Sequence, residues 1–125
     1  MTEGYKQKDF KQPTKRYVQI LELRDNPEMI AEYRKLHSEE YSWKEIRDGI
    51  RSVGILEMEI YISGNKLVMI CDTPIDFNWD EAMARLAKLP RQEEWESVVG
   101  AFQKCAEGAT SDEKWTMTER MFYLY

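Results

Sequence analysis

The middle of the chain has the pattern of a β-hairpin, and this pattern restricts the possible fold more than any other feature. Over residues 55–62 the segment ILEMEIYI alternates in hydropathy, as in a strand with one buried face. The face predicted to be buried carries Leu56, Met58, Ile60 and Ile62. A short turn at residues 63–65 leads into the apolar run Leu67–Thr73. A lone hairpin is marginally stable in water, so other elements must cover it.

A strand and a helix precede the hairpin. The run Arg16–Leu23 is rich in β-branched and aliphatic residues and ends before Asp25-Asn26-Pro27, which predicts a strand. Asn26 can cap a helix that starts at Pro27. Its apolar stripe would consist of Met29, Ile30, Tyr33, Leu36 and His37. The segment Ser42–Glu45 resembles a capping box, so we expect the helix to break and restart near Ser42.

Helices and a last strand follow the hairpin. Asn78 can cap a helix that runs through Lys88, and Pro90 can start another. The buried stripe of this second helix would carry Trp95, Val98, Val99, Phe102 and Cys105. After a loop at residues 108–112, residues 115–125 predict a fourth strand. Its alternating members would be Trp115, Met117, Met121 and Tyr123.

The resulting order, β-α-β-β-α-β, is typical of an α+β fold of the ferredoxin-like class. It predicts an antiparallel sheet with helices on one face, in a single domain over residues 15–125. Residues 1–14 are polar and lack periodicity, so we interpret them as an N-terminal extension. Because the other sheet face would be uncovered, we expect a sheet-to-sheet homodimer of the dimeric α+β barrel type.

Composition and charge exclude several classes of function. The net charge is −5 and no basic face is evident, so nucleic acid is not an expected partner. No segment approaches the length of a membrane span, and the first residues lack a secretory signal, so no membrane partner is expected. Cys71 and Cys105 lie in apolar segments, which indicates buried, reduced thiols. Together these features predict a cytoplasmic protein.

His37 is the only histidine and lies one helical turn after Tyr33. Imidazole can donate and accept protons near neutral pH, although a single helical histidine is more often structural. Trp95, between Glu94 and Glu96, could pack on a sugar ring while a carboxylate accepts its hydroxyls, but a core tryptophan flanked by solvated charges is the more common meaning of this pattern. One histidine and two separated cysteines give no metal spacing, and no cofactor fingerprint is present.

Several segments resemble the L-rhamnose mutarotase family. Residues 25–28 and 32–37, DNPE and EYRKLH, are similar to its first helix. Segments of the hairpin (Gly54-Ile55, residues 58–61, 64–67 and 69–70), the run QEEWE at 92–96 and the run MFYL at 121–124 resemble its later elements. The likeness extends from about Lys15 to the end, in the branch associated with L-rhamnose or L-fucose.

The resemblance implies an isomerase that uses no metal or cofactor, dimerises through its sheet and interconverts the α and β anomers of a 6-deoxy-L-hexose. It implies that His37 is the catalytic proton donor, that Tyr33 contacts the monosaccharide and that Trp95 lines the pocket. We expect L-rhamnose first and L-fucose second as the substrate. On this hypothesis His37 protonates the ring oxygen and takes the proton back on closure.

The chain departs from the family pattern around the pocket. Met58 replaces a substrate-binding tyrosine of one branch, Glu96 replaces a second tryptophan, and an insertion of two residues falls at 38–42. We therefore predict substrate-binding roles for Met58, Glu59 and Glu96 beside Tyr33 and Trp95, with Glu96 or Glu59 as a complementary base. Two other interpretations stay open: a non-catalytic sugar-binding module, and a monooxygenase-like or dehydratase enzyme on the same fold.

Overall fold

The computed structural model describes residues 2–125 and contains four strands and five helices within them. In chain order they are β1 (Thr14–Glu22), α1 (Pro27–Leu36), α2 (Lys44–Ser52), β2 (Glu57–Ser63), β3 (Lys66–Pro74), α3 (Trp79–Leu86), α4 (Gln92–Gly100), α5 (Ser111–Lys114) and β4 (Thr116–Met117). The predicted alternation of strands and helices is confirmed, and the break in the first helical region lies between α1 and α2.

The strands form one antiparallel sheet in the order β2-β3-β1-β4. The predicted hairpin is β2 and β3, and its turn includes Gly64 at φ 61°, a conformation that glycine adopts without strain. β1 pairs with β3 along its whole length, from Thr14 opposite Pro74 to Glu22 opposite Lys66. This order is that of the predicted ferredoxin-like α+β fold.

Alternate residues of each strand lie on opposite faces of the sheet. One face, which we call the covered face, packs against the helices and carries Leu67, Met69 and Cys71 in the buried core. The opposite, open face carries the intervening Val68 and Ile70, which are only half-buried. The period of two therefore assigns neighbouring residues of β3 to different environments.

Two of the three predicted helix caps are confirmed. The side chain of Asn26 accepts from the backbone N–H groups at the start of α1, and that of Asn78 caps α3. The predicted capping box at Ser42–Glu45 is wrong, because Trp43 occupies the N-cap position of α2 and makes no side-chain cap. The Ser42 hydroxyl instead accepts a hydrogen bond from Arg47 Nε at 2.8 Å.

The C-terminal region differs from its prediction. The buried stripe of α4 consists of Gln92, Trp95 and Val99, and the helix ends at Gly100, before Phe102 and Cys105. The fourth strand comprises Thr116–Met117 alone.

The predicted strand over residues 115–125 is therefore too long. Its pairing with β1 ends where Thr118 N donates to Val18 O at 3.0 Å. Trp115 is buried beside the core, whereas Met121 and Tyr123 are largely exposed. Side-chain alternation alone cannot maintain a strand once its ladder has no partner.

The N-terminal residues 2–13 form no helix or strand. They run near β2, where Tyr5 packs edge-on against Tyr61 and Lys8 Nζ lies 3.6 Å from a carboxylate oxygen of Glu57. In residues 2–125 there is no helix with the length and apolarity that a membrane crossing requires.

Candidate active site

A cavity of about 510 Å³ lies on the covered face and is lined by residues from α1, α2, α4 and the sheet. Its floor and walls combine aliphatic, aromatic and polar side chains, a mixture suited to a small polar organic ligand. The lining includes Tyr33, His37, Trp43, Ile46, Met58, Ile60, Gln92, Trp95, Glu96 and Gln103.

Five of the six predicted site residues line this cavity: Tyr33, His37, Met58, Trp95 and Glu96. The sixth, Glu59, is not among them. It follows Met58 on β2 and therefore lies on the open face, where its carboxylate accepts a hydrogen bond from the Tyr61 hydroxyl at 3.2 Å. Within the described residues, Glu59 is therefore not part of the cavity wall.

His37 is the C-cap residue of α1, so its ring lies where the helix ends and the cavity begins. Its Nδ1 is 2.9 Å from the backbone oxygen of Tyr33. Because a carbonyl oxygen only accepts, Nδ1 must carry the hydrogen of this bond. In the neutral ring this leaves Nε2 with a free lone pair, as a proton acceptor requires.

Burial lowers the pKa of His37 below its ordinary value of 6.5, and the positive charge of Arg47 lowers this pKa further. The hydrogen bond to the Tyr33 carbonyl acts in the opposite direction but is the smaller effect. The neutral imidazole is therefore the resting form at neutral pH. Such a ring is unprotonated and so available as a base, and its imidazolium form gives up its proton readily.

The Tyr33 side chain packs against His37, with ring centroids 4.4 Å apart. Its hydroxyl oxygen accepts a hydrogen bond from Gln103 Nε2 at 3.1 Å. Burial raises the pKa of Tyr33 to about 12, and the charge of Glu96 contributes in the same direction. The hydroxyl therefore stays protonated at neutral pH, and its own hydrogen is left to donate.

Trp95 and Trp43 form an aromatic wall next to the histidine. The Trp95 ring lies 5.3 Å from His37 and 5.1 Å from Trp43, in both cases nearly edge-on. The guanidinium of Arg91 stacks 3.9 Å above the Trp43 ring and is held by Glu94. Aromatic faces of this kind can pack on the apolar C–H side of a pyranose.

Glu96 is held by two donors. Gln92 Nε2 donates to its Oε2 at 2.6 Å, and Lys114 Nζ donates to its Oε1 at 2.8 Å. Site roles for Gln92, Gln103 and Lys114 were not predicted from the sequence. The spacing of four between Gln92 and Glu96 was a usable signal for one of them. Nothing in the sequence pairs Lys114 or Gln103 with α1 or α4.

Within residues 2–125 no three His, Cys, Asp or Glu side chains converge as metal ligands. Both cysteines are free thiols, and burial raises the pKa of Cys71 to about 12. In the cavity wall, Tyr33 and Glu96 supply hydrogen-bonding groups and His37 supplies a group that can exchange protons.

Comparison with known proteins gives a consistent picture. Residues 16–124 match the family model described as L-rhamnose mutarotase. An L-fucose mutarotase of Xanthomonas campestris pv. campestris is 35% identical over 109 residues, covering 87% of this chain and 87% of the relative. A UPF0734 protein of Dictyostelium discoideum is 33% identical over 91 residues, or 72% of this chain and 71% of its own.

A solved structure supports the fold. The crystal structure of an L-rhamnose mutarotase from Formosa agariphila superposes with a TM-score of 0.65, over 89% of this chain and 99% of that one. The two sequences are 17% identical, so this likeness concerns the fold alone.

Proposed function

The chain belongs to the L-rhamnose mutarotase family, a family of sugar isomerases, and we propose that it interconverts the α and β anomers of L-rhamnose or L-fucose beside His37. The observation that carries this proposal is the half-buried, neutral His37 in the wall of a cavity of about 510 Å³, which has room for a monosaccharide. Family membership replaces the monooxygenase-like interpretation. It leaves the sugar-binding module as the alternative to test.

Mutarotation moves one proton between two oxygens of the same carbon. The anomeric hydroxyl loses its proton, the bond from C1 to the ring oxygen breaks, and the ring oxygen gains a proton. The open aldehyde then turns about its bond to C2, and the reverse steps close the ring on its other face. General acid-base catalysis of such steps contributes typically ~10²- to 10⁴-fold.

We assign this proton to His37. In the proposed cycle Nε2 takes the proton of the anomeric hydroxyl, and the resulting imidazolium gives it to the ring oxygen, since both oxygens are bonded to C1. Three features support the assignment: the Nδ1–H bond to Tyr33 O, the lowered pKa of the ring and the position of the ring in the cavity wall. Glu96 is then not needed as a second base.

The other lining residues bind the sugar in this proposal. Tyr33 donates its free hydroxyl hydrogen to a sugar oxygen, and Trp95 packs on the ring. Met58 offers an apolar contact for the methyl group of a 6-deoxyhexose, and Glu96 accepts sugar hydroxyls. Their shared presence around one cavity supports these roles.

The test is saturation-transfer NMR between the α and β anomeric protons of L-rhamnose and of L-fucose, with and without catalytic amounts of the protein. We expect enhanced exchange for at least one of them and none for D-glucose, which serves as the control sugar. Binding of either sugar without enhanced exchange would establish the binding-module alternative. Enhancement for one sugar alone would name the substrate.

We also propose that two copies associate through their open faces. Ile20 on β1 is 46% exposed, and Val18, Val68 and Ile70 around it are only half-buried. An apolar sheet face of this kind is commonly covered by a symmetric partner. A cytoplasmic location, where Cys71 and Cys105 stay reduced, goes with the proposal.

Light scattering during size-exclusion chromatography tests the dimer. We expect the wild-type protein to elute with twice the mass of one chain, and Ile20→Lys to elute as a monomer. Ile75→Lys is the matched control, because Ile75 is also exposed but lies outside the strands. A wild-type monomer, or a dimer that Ile20→Lys leaves intact, would contradict the proposal.

A further inference from the structure

A buried ion pair lies behind one wall of the cavity. Lys114 Nζ is 2.8 Å from Glu96 Oε1 and 2.6 Å from the backbone oxygen of Glu96. The side chain of Lys114 is only 1% exposed and that of Glu96 only 13%. Removing both charges from water carries a large cost, and a hydrophobic pair of the same volume would often be at least as stable. Stability alone is therefore a weak reason for this pair.

The arrangement of donors around Glu96 suggests a function. Lys114 uses one carboxylate oxygen and Gln92 uses the other, so both oxygens are fixed in place. Each carboxylate oxygen can accept about two hydrogen bonds, and one at each is accounted for by these partners. Because Glu96 lines the cavity, the remaining acceptor positions of its carboxylate can serve a ligand bound there.

We propose that Lys114 is a positioning residue that holds Glu96 as the acceptor of two neighbouring sugar hydroxyls, and that this pair contributes to the choice of sugar. The inference rests on the proposed function, since it names how the same cavity binds its substrate. Adjacent hydroxyls of a pyranose are close enough to donate to the two oxygens of one carboxylate. Glu96 then binds and does not transfer protons.

The test removes both charges together, because losing Lys114 alone would leave Glu96 buried without its partner. We expect Lys114→Met by itself to lower the melting temperature by roughly 10–20 °C. The double variant Lys114→Met, Glu96→Gln has no unpaired charge and should melt within about 5 °C of the wild type. It still lacks a charged acceptor for the sugar.

For the double variant we expect KM, or the dissociation constant of the sugar measured by titration calorimetry, to rise roughly 10- to 100-fold. We expect kcat to change less than about threefold, since binding lost equally in ground and transition states raises KM alone. The matched control is Lys104→Met, Glu22→Gln, an exposed pair outside the cavity with a distance of 3.1 Å. Its KM should stay at the wild-type value.

A folded double variant with wild-type KM and sugar affinity would overturn this inference and leave the proposed function intact. A fall in kcat as large as that in kcat/KM would also overturn it, because Glu96 would then act in the proton transfer. If the wild type binds sugar without exchange, the proposed function fails, and the affinity measurement still decides the role of Lys114. A wild type that binds neither sugar overturns both.

Deoxygenated sugars separate direct contact from an indirect effect. If Glu96 accepts two neighbouring hydroxyls, the KM penalty of the double variant should be smaller for a deoxy analogue that lacks either of them. We would compare the 2-deoxy, 3-deoxy and 4-deoxy forms of the substrate. A penalty of the same size for all three would contradict a direct contact with Glu96.

Discussion

The two faces of the sheet are built from the same strands, but the pKa values of their ionisable side chains are shifted by different causes. On the covered face, burial is the main cause of the lowered pKa of His37 and of the raised pKa of Tyr33. On the open face, the pKa of Arg16 is raised mainly by its hydrogen bond to Asp72, at 2.8 Å.

This difference distinguishes a functional site from a structural ion pair. Desolvation without a matching countercharge leaves His37 ready to exchange a proton, and such groups are common where chemistry takes place. Arg16 and Asp72 instead form an ion pair in which each charge has the opposite charge as its partner. The alternation of two along β1, β2 and β3 allows both environments within one layer of strands.

The largest expected effect is on kcat, from a substitution on the covered face. Replacing His37 by Ala should lower kcat by roughly 10²- to 10⁴-fold, because the variant lacks the imidazole that takes and returns the proton in the proposed mechanism. Anomeric exchange rates measured by saturation transfer, with circular dichroism as a check of the fold, give the result. Glu39→Ala, two residues later and exposed, is the control and should keep the wild-type rate.

If a folded His37→Ala variant retained wild-type turnover, the assignment of the proton to this residue would be wrong. The cavity would then act only by binding and orienting the sugar.

Adjacent residues of β3 lie on opposite faces of the sheet, so their replacement should lower the free energy of unfolding by different amounts. Leu67→Ala removes a side chain that is 2% exposed in the core and should lower the free energy of unfolding by about 2–5 kcal/mol. Val68→Ala, on the half-buried open face, should cost less, about 1 kcal/mol or below in the monomer. Urea denaturation of both variants in the Ile20→Lys background, which we expect to be monomeric, compares them. Equal losses would mean that the open face is packed as tightly as the core.

The acid side of the pH profile gives a smaller effect. On the proposed mechanism the neutral form of His37 is the base, and burial lowers its pKa below the ordinary value of 6.5. We therefore expect kcat/KM to fall only as the pH drops through that lowered value. At pH 6.5 the activity should therefore exceed half of its plateau. Loss of half the activity at or above pH 6.5 would contradict a desolvated His37.

Arg47 refines this prediction, since its positive charge contributes to lowering the pKa of His37. Arg47→Met should move the acid limb to higher pH. Lys66→Met, which removes one positive charge from the open side of the hairpin, should leave the limb in place. A shift of equal size in both variants would mean that net charge, and not proximity to the ring, sets this pKa.

Features governed by local periodicity were predicted from the sequence, whereas features that depend on partners distant in the chain were not. The hairpin, the caps Asn26 and Asn78 and the helical placement of Tyr33 beside His37 follow from spacing along the chain. Glu59 was assigned to the pocket although its alternation with Met58 places it on the other face.

Other features could not be read locally. The tail over residues 118–125 has strand-like alternation but no ladder beyond Thr118, and a ladder depends on a partner strand. The buried Lys114 is paired with α4, 18 residues earlier, by tertiary packing alone. The local pattern around it, a short capped turn, carries no sign of a buried charge.

His37 being the only histidine allows one direct measurement of the central claim, that sugar binds beside a neutral imidazole on the covered face. Two-bond ¹H–¹⁵N correlation spectra of the labelled protein, recorded against pH with and without substrate sugar, report the tautomer and pKa of that one ring. The account predicts hydrogen on Nδ1, a pKa below 6.5, and a clear shift of Nε2 on adding L-rhamnose or L-fucose. A ring that titrates at or above 6.5, or that saturating sugar leaves unchanged, would contradict it.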